Sequence, residues 1–155
     1  MEKQNGTAKL NKHREVIEKI YNAFETGNTS GLENYVTNNF KERNPPPSLK
    51  STGIQSLKDQ INLYHTAFPD LKIKIKEIFG DGEKVAIYCT FTGTNKGAMI
   101  GIPATNKKTS VDGIEIVKFD GEKISDHWGV YDNLEMFKQL GLIPVANAME
   151  QETYK

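Results

Sequence analysis

Apolar residues recur at helical spacing along the first part of the chain and alternate with polar ones from residue 71 onward. Ile17, Ile20, Tyr21 and Phe24 stand at i, i+3, i+4 and i+7, which predicts a helix starting near Asn11 and ended by Gly27. Residues 1–9 are polar and are expected to be frayed. Ser30 and Glu33 have capping-box spacing, predicting a short second helix with Leu32, Tyr35 and Val36 turned inward. The run Asn44-Pro45-Pro46-Pro47 cannot continue a helix, because its prolines lack amide donors, and makes a stiff loop. A third helix is expected over residues 54–67, capped by Thr52 and striped by Ile54, Leu57, Ile61, Tyr64 and Phe68.

Beyond Pro69-Asp70 the period becomes two. Leu71, Ile73 and Ile75 alternate with Lys72, Lys74 and Lys76, giving a strand with one wet face. Gly80-Asp81-Gly82 turns the chain into a strand over residues 84–94 that is apolar or β-branched on both faces. Residues 93–108 are rich in Gly, Thr and Asn around an Ala98-Met99-Ile100 tip, and predict a long excursion at the sheet rim that covers a pocket. Strands over 109–119 and 123–131, joined at Asp120-Gly121-Glu122, and a helix over 132–140 closed by Gly141 complete the pattern. The chain turns polar again after Pro144. Helices first and an antiparallel meander afterwards define an α+β class, with the helices packed on one face of a curved sheet. The 155 residues carry no repeat or linker, so one domain is expected, with its core over about 11–144.

Composition narrows the function classes. Twenty basic and twenty acidic residues cancel, which gives no electrostatic case for a nucleic-acid or anionic-membrane partner. No segment has the length of a membrane span and the N-terminus has no signal-like apolar run, so a cytoplasmic location is expected. Cys89 is the single cysteine and sits in an apolar run, which marks a buried thiol; no Cys or His spacing marks a metal site.

Candidate chemistry concentrates at the end of the last strand, His127-Trp128-Gly129-Val130-Tyr131-Asp132. Asp132 stands where strand meets helix, as an acid/base group at a pocket rim or, with Glu135 three residues on, as a helix N-cap. Strict alternation puts Trp128 on the Asp132 face, where it walls a pocket or belongs to core or interface, and turns His127 to the opposite face unless Gly129 marks a bulge. Asp112 shares the parity of Ile114 and Ile116, which places it at the mouth of the apolar face or exposed at the strand start. Asn44, pinned by the prolines, is placed to donate to a substrate carbonyl or to form an Asx turn. Tyr64 and Phe68 are core first and pocket lining second, whereas His13 and His65 lie away from the apolar stripes and are expected at the surface.

Taken in order, Ala67-Phe68-Pro69-Asp70-Leu71, Gly93-Thr94-x-x-Gly97, Gly101-Ile102-Pro103-x-Thr105, Asp120-Gly121-x-Lys123-Ile124, His127-Trp128, Asp132 and Gln139-Leu140-Gly141 resemble the SnoaL-like polyketide cyclases. These belong to the nuclear-transport-factor-two-like superfamily of cone-shaped α+β folds. The resemblance implies a cofactor-free, metal-free intramolecular aldol closure of a polyketide ester, with Asp132 at the position of the acid/base aspartate. It leaves His127 as the remaining histidine candidate, because Arg43 and Asn95 stand where the family commonly has His. Ala104, Lys118 and Asp126 also depart from the usual Pro, Arg and Glu. The same fold hosts isomerases, dehydratases and non-catalytic modules that bind an apolar small molecule, and many such folds dimerise through the sheet.

Overall fold

The computed structural model describes residues 2–144. Helix α1 (Glu2–Thr26) is followed by a 3-10 turn (Leu32–Asn34), strand β1 (Val36–Glu42) and helix α2 (Gly53–Ala67). Strands β2 (Lys72–Asp81), β3 (Lys84–Thr94), β4 (Lys108–Asp120) and β5 (Lys123–Tyr131) come next, and helix α3 (Asn133–Leu140) closes the order. The sheet runs β1-β5-β4-β3-β2, antiparallel throughout except for the parallel pair β1 and β5. Three helices on this mixed, open sheet make the α+β fold expected from the periodicity.

The main core lies between the helices and the concave face of the sheet. Ile17, Ile20 and Tyr21 from α1 and Leu57 and Ile61 from α2 meet Val85, Ile87, Val117, Phe119 and Ile124 from the strands. Burying a large aliphatic or aromatic side chain of this kind contributes about 1.5–3 kcal/mol, so this layer holds the helices to the sheet. Cys89 is buried, as its apolar run requires.

Several elements differ from the sequence reading. The first helix begins at Glu2, because Leu10 packs on the core and His13 stacks on Phe119 with ring centroids 3.7 Å apart. His13 is therefore buried, not at the surface. The short second helix reduces to the 3-10 turn, and Val36 begins β1, an edge strand whose only buried residues are Val36 and Phe40. That i, i+4 spacing imitates a helix face and hid the strand. Thr52 occupies the N-cap of α2 with extended backbone but makes no side-chain cap bond. The polar stretch after Pro144 lies outside the described residues.

The excursion between β3 and β4 forms as expected. Asn95 is buried at its neck, donating from Nδ2 to the Gly97 carbonyl and accepting at Oδ1 from the Thr105 amide and hydroxyl. Met99 and Ile102 bridge at the tip and turn back toward the sheet. No helix among the described residues is long and apolar enough to cross a membrane.

Candidate active site

The concave face of β4 carries Val111, Gly113, Glu115, Val117 and Phe119, while Ile114 and Ile116 point outward, 58% and 39% exposed. Across the ladder, Gly113 pairs with Tyr131, Glu115 with Gly129 and Val117 with His127, so His127, Gly129 and Tyr131 share the concave face. Alternation had grouped these residues correctly but assigned the pocket to the other group. The outer set of β4 carries Ile114 and Ile116 among polar residues, and the sequence reading took the apolar face from those two instead of from Val111, Val117 and Phe119. A bulge does exist, at Ser125: Lys118 pairs with Asp126 and Phe119 with Ile124, leaving Ser125 extra. It lets Ile124 and His127 point to the same side.

Three candidates therefore stand away from the cavity. Asp132 is exposed and accepts the Glu135 amide at Oδ1, 3.0 Å, as the N-cap of α3, whose other end Gly141 closes in the left-handed conformation, φ 74°. Trp128 lies on the outer face with the Arg43 guanidinium 5.5 Å and the Lys84 ammonium 6.0 Å from its ring. Asp112 is on the outer face too, bound by Thr90, Tyr88 and Lys76.

Inside, His127 stands between two carboxylates. Its Nδ1 lies 2.7 Å from Glu42 Oε2 and its Nε2 lies 3.5 Å from Glu115 Oε1. Glu42 reaches this place because β1 runs alongside β5 with Glu42 and His127 in register. Its Oε1 accepts the Asn44 amide at 3.0 Å, and Gln60 Nε2 is 3.4 Å from Oε2. Glu115 accepts from the Tyr21 hydroxyl at 2.5 Å and from the Tyr131 hydroxyl at 2.6 Å. The His127 side chain is 18% exposed, compared with 4% for Glu42 and 7% for Glu115, so the imidazole is the most accessible of the three.

Charge follows from this packing. Burial pushes the His127 pKa down, but close contact with the Glu115 and Glu42 carboxylates and their negative charges outweighs it and lifts the value to about 10. Burial acts on Glu115 in the opposite sense, upward, and the His127 contact with the two tyrosine hydroxyls brings it below the ordinary glutamate value. Burial and the Glu115 charge raise Tyr21 and Tyr131 above the ordinary phenol value, so both stay protonated donors. At neutral pH the centre is an imidazolium flanked by carboxylates.

This centre forms part of the wall of a cavity of about 640 Å³, within the range of small-molecule sites. Tyr64, Phe68, Phe91 and Ile73 contribute apolar wall, and Pro45, Ile100, Ile102 and Phe137 line it from the loops and α3. Asn44 lines the cavity as well. Its Oδ1 accepts the Gly129 amide at 3.2 Å, which fixes the amide and leaves Nδ2 without a protein partner among the described residues. It makes this cross-strand bond in place of the Asx turn.

The sequence reading did not single out Glu42, Glu115, Gln60, Tyr21 or Tyr131, all of which line the cavity. Glu115 stands between Ile114 and Ile116, whose parity the sequence reading took for the apolar face, Tyr21 was assigned to the first helix's apolar stripe, and Glu42 belonged to the unrecognised strand. A signal was present in Gly113 and Gly129, small residues on two paired strands where something large must fit. Arg43 and Asn95, at positions where the family commonly has His, do not line the cavity: Arg43 binds Asp126 and Asn95 holds the neck of the excursion.

Fold and site together define a cone-shaped α+β protein with a histidine held between two carboxylates in the wall of an apolar cavity. The SnoaL-like polyketide cyclase model matches residues 14–140, and the chain belongs to that family. It is similar to TsrD from Streptomyces laurentii, at 24% identity and TM-score 0.78 over 85% of this chain and 96% of that one. A candidate polyketide cyclase from Bacillus cereus ATCC 10987 shares 26% identity, TM-score 0.73, over 86% of this chain and 83% of that one. A SnoaL-like polyketide cyclase from Agrobacterium tumefaciens str. C58 shares 19% identity, TM-score 0.69, over 83% and 98%. No curated protein sequence matches the chain significantly.

Proposed function

We propose that the protein is a cofactor-independent enzyme that closes a ring by intramolecular aldol chemistry in a carbonyl-bearing apolar small molecule, with His127 as proton donor. The observation that carries this reading is the placement of His127 between Glu42 and Glu115 in the wall of an apolar cavity. Nδ1 is committed to Glu42, while Nε2 is too far from Glu115 for a good hydrogen bond and is the side open to a substrate oxygen. A positive charge there stabilises the enolate that forms when a carbon between carbonyls loses its proton.

The proton balance closes within the site. Glu115 takes the carbon-bound proton, the enolate carbon attacks the second carbonyl, and the His127 imidazolium protonates the resulting alkoxide. Transfer from Glu115 to Nε2 then restores both groups. Asn44 Nδ2 binds a substrate carbonyl, and Asp132, the carboxylate brought forward by the family motif, serves as the cap of α3. His127→Gln assayed on a panel of 1,3-dicarbonyl esters able to close a ring tests the reading: product formation should fall by about 10²–10⁴-fold. Unchanged turnover would overturn it.

The second reading is a binding module for an apolar small molecule, favoured by the absence of any aspartate from the cavity lining among the described residues. It predicts ligand binding without product from any member of the same panel. Under either reading we place a second copy of the chain on the outer face of the sheet. Paired Ile114 and Val130 sit there beside paired Ile116 and Trp128, and Val130 is 72% exposed.

A further inference from the structure

Glycine occupies two concave-face positions beside Glu115. Gly129 is paired across from Glu115, and Gly113 across from Tyr131. The Tyr131 side chain leans back along β5 over Gly129, and its hydroxyl reaches Glu115 Oε1 at 2.6 Å. A β-carbon on Gly129 would overlap the Tyr131 hydroxyl oxygen, and one on Gly113 would overlap the edge of the same ring. Phe91 closes a third side, edge to face at 5.3 Å between centroids. The ring therefore has one seat, and both glycines are needed to leave it open.

Glu115 Oε1 is also the oxygen that faces His127 Nε2, at 3.5 Å. Two donors converge on one acceptor and the tyrosine holds it. If the hydroxyl were displaced, a buried carboxylate oxygen would lose a partner, at a cost that favours any available donor. His127 is the nearest one.

Resting on the assignment of Nε2 as the proton donor, we infer that Gly113 and Gly129 are positioning residues: they seat the Tyr131 hydroxyl on Glu115 Oε1 and thereby keep the His127 Nε2–H free for the ligand. Without that seat the imidazolium closes on Glu115, and the proton meant for substrate is spent inside the protein.

The side-chain nitrogen and proton resonances of His127 read this directly, with no substrate required. In Tyr131→Phe and in Gly129→Ala the Nε2–H resonance should move downfield as its hydrogen bond to Glu115 shortens, while Nδ1–H, bound to Glu42, keeps its position. The double variant should match Tyr131→Phe alone, because no hydroxyl is left to displace. Tyr131→Phe adds no volume, so it carries the test by itself if Gly129→Ala fails to fold. A Nε2–H that stays at its wild-type position in Tyr131→Phe overturns the inference, as does a Gly129→Ala protein that only loses thermal stability. Unchanged turnover in His127→Gln alongside a shifted resonance overturns the proton-donor reading alone.

Discussion

His127 and Glu42 lie 85 positions apart in the chain, and their side chains meet at 2.7 Å because β1 docks parallel to β5 with the two residues in register. Under the proposed function Glu42 is a positioning residue that acts through the imidazole. Glu42→Gln keeps an acceptor for Nδ1 and removes a charge. The His127 pKa should fall from about 10 by about 1–3 pH units, followed by side-chain NMR titration. Turnover should fall with it, and a pKa that does not move would show that Glu115 alone holds the charge.

Stability should depend on pH from both sides. The folded His127 pKa of about 10 is above its ordinary 6.5, so its contribution is complete below about pH 6.5 and is lost as pH rises through about 10. Glu115 is held below its ordinary 4.5, so its contribution is present above that value and is lost as pH falls through the depressed one. Thermal unfolding across pH should show a plateau between these limits, and the alkaline decline should flatten in His127→Gln.

Asp132→Ala removes the cap on the Glu135 amide and should cost about 1 kcal/mol in chemical denaturation, with Asp132→Asn close to wild type. Turnover should be unchanged in both. A folded Asp132→Ala protein without activity would return Asp132 to the catalytic centre.

Asn95→Ala strips partners from the Thr105 amide and the Gly97 carbonyl and should destabilise the excursion by about 1–3 kcal/mol. Hydrogen exchange should quicken over residues 95–107 and stay slow in α1. Uniform acceleration across the protein would show that the neck is part of the global unfolding unit.

Ile116→Asp places a charge in the middle of the outer apolar face. Sedimentation should show the mass halved relative to wild type, with small-ligand binding in the cavity retained. A wild-type protein that sediments as a monomer would remove the second copy from that face.

The α2 stripe, the Lys-marked edge strand, the tight turns and the rim excursion were all legible in sequence, because each rests on local spacing or turn chemistry. The site was less so. Ile114-Glu115-Ile116 presents its acid as the wet residue, yet Glu115 shares the parity of Val111, Val117 and Phe119 on the inner face, where Tyr21 from a distant helix satisfies it. Likewise the Ser125 bulge, not Gly129, sets which side His127 takes, and nothing in the local sequence marks it. Tyr64 of α2 and Phe68 at its C-cap both line the cavity, on the side that the helical stripe marks as apolar.

The parallel pairing of β1 with β5 has a consequence for how the protein assembles. Strands β2 to β5 form a meander in which each strand pairs with the next in sequence, whereas a parallel pair cannot be closed by a hairpin and pays the entropy of a long loop. Seating β1 is non-local, with Glu42 and His127 85 positions apart, and is expected to follow formation of the β2–β5 meander. Until it happens, His127 faces only one of its two carboxylates, so docking of β1 completes both the cavity wall and the electrostatics around the imidazole.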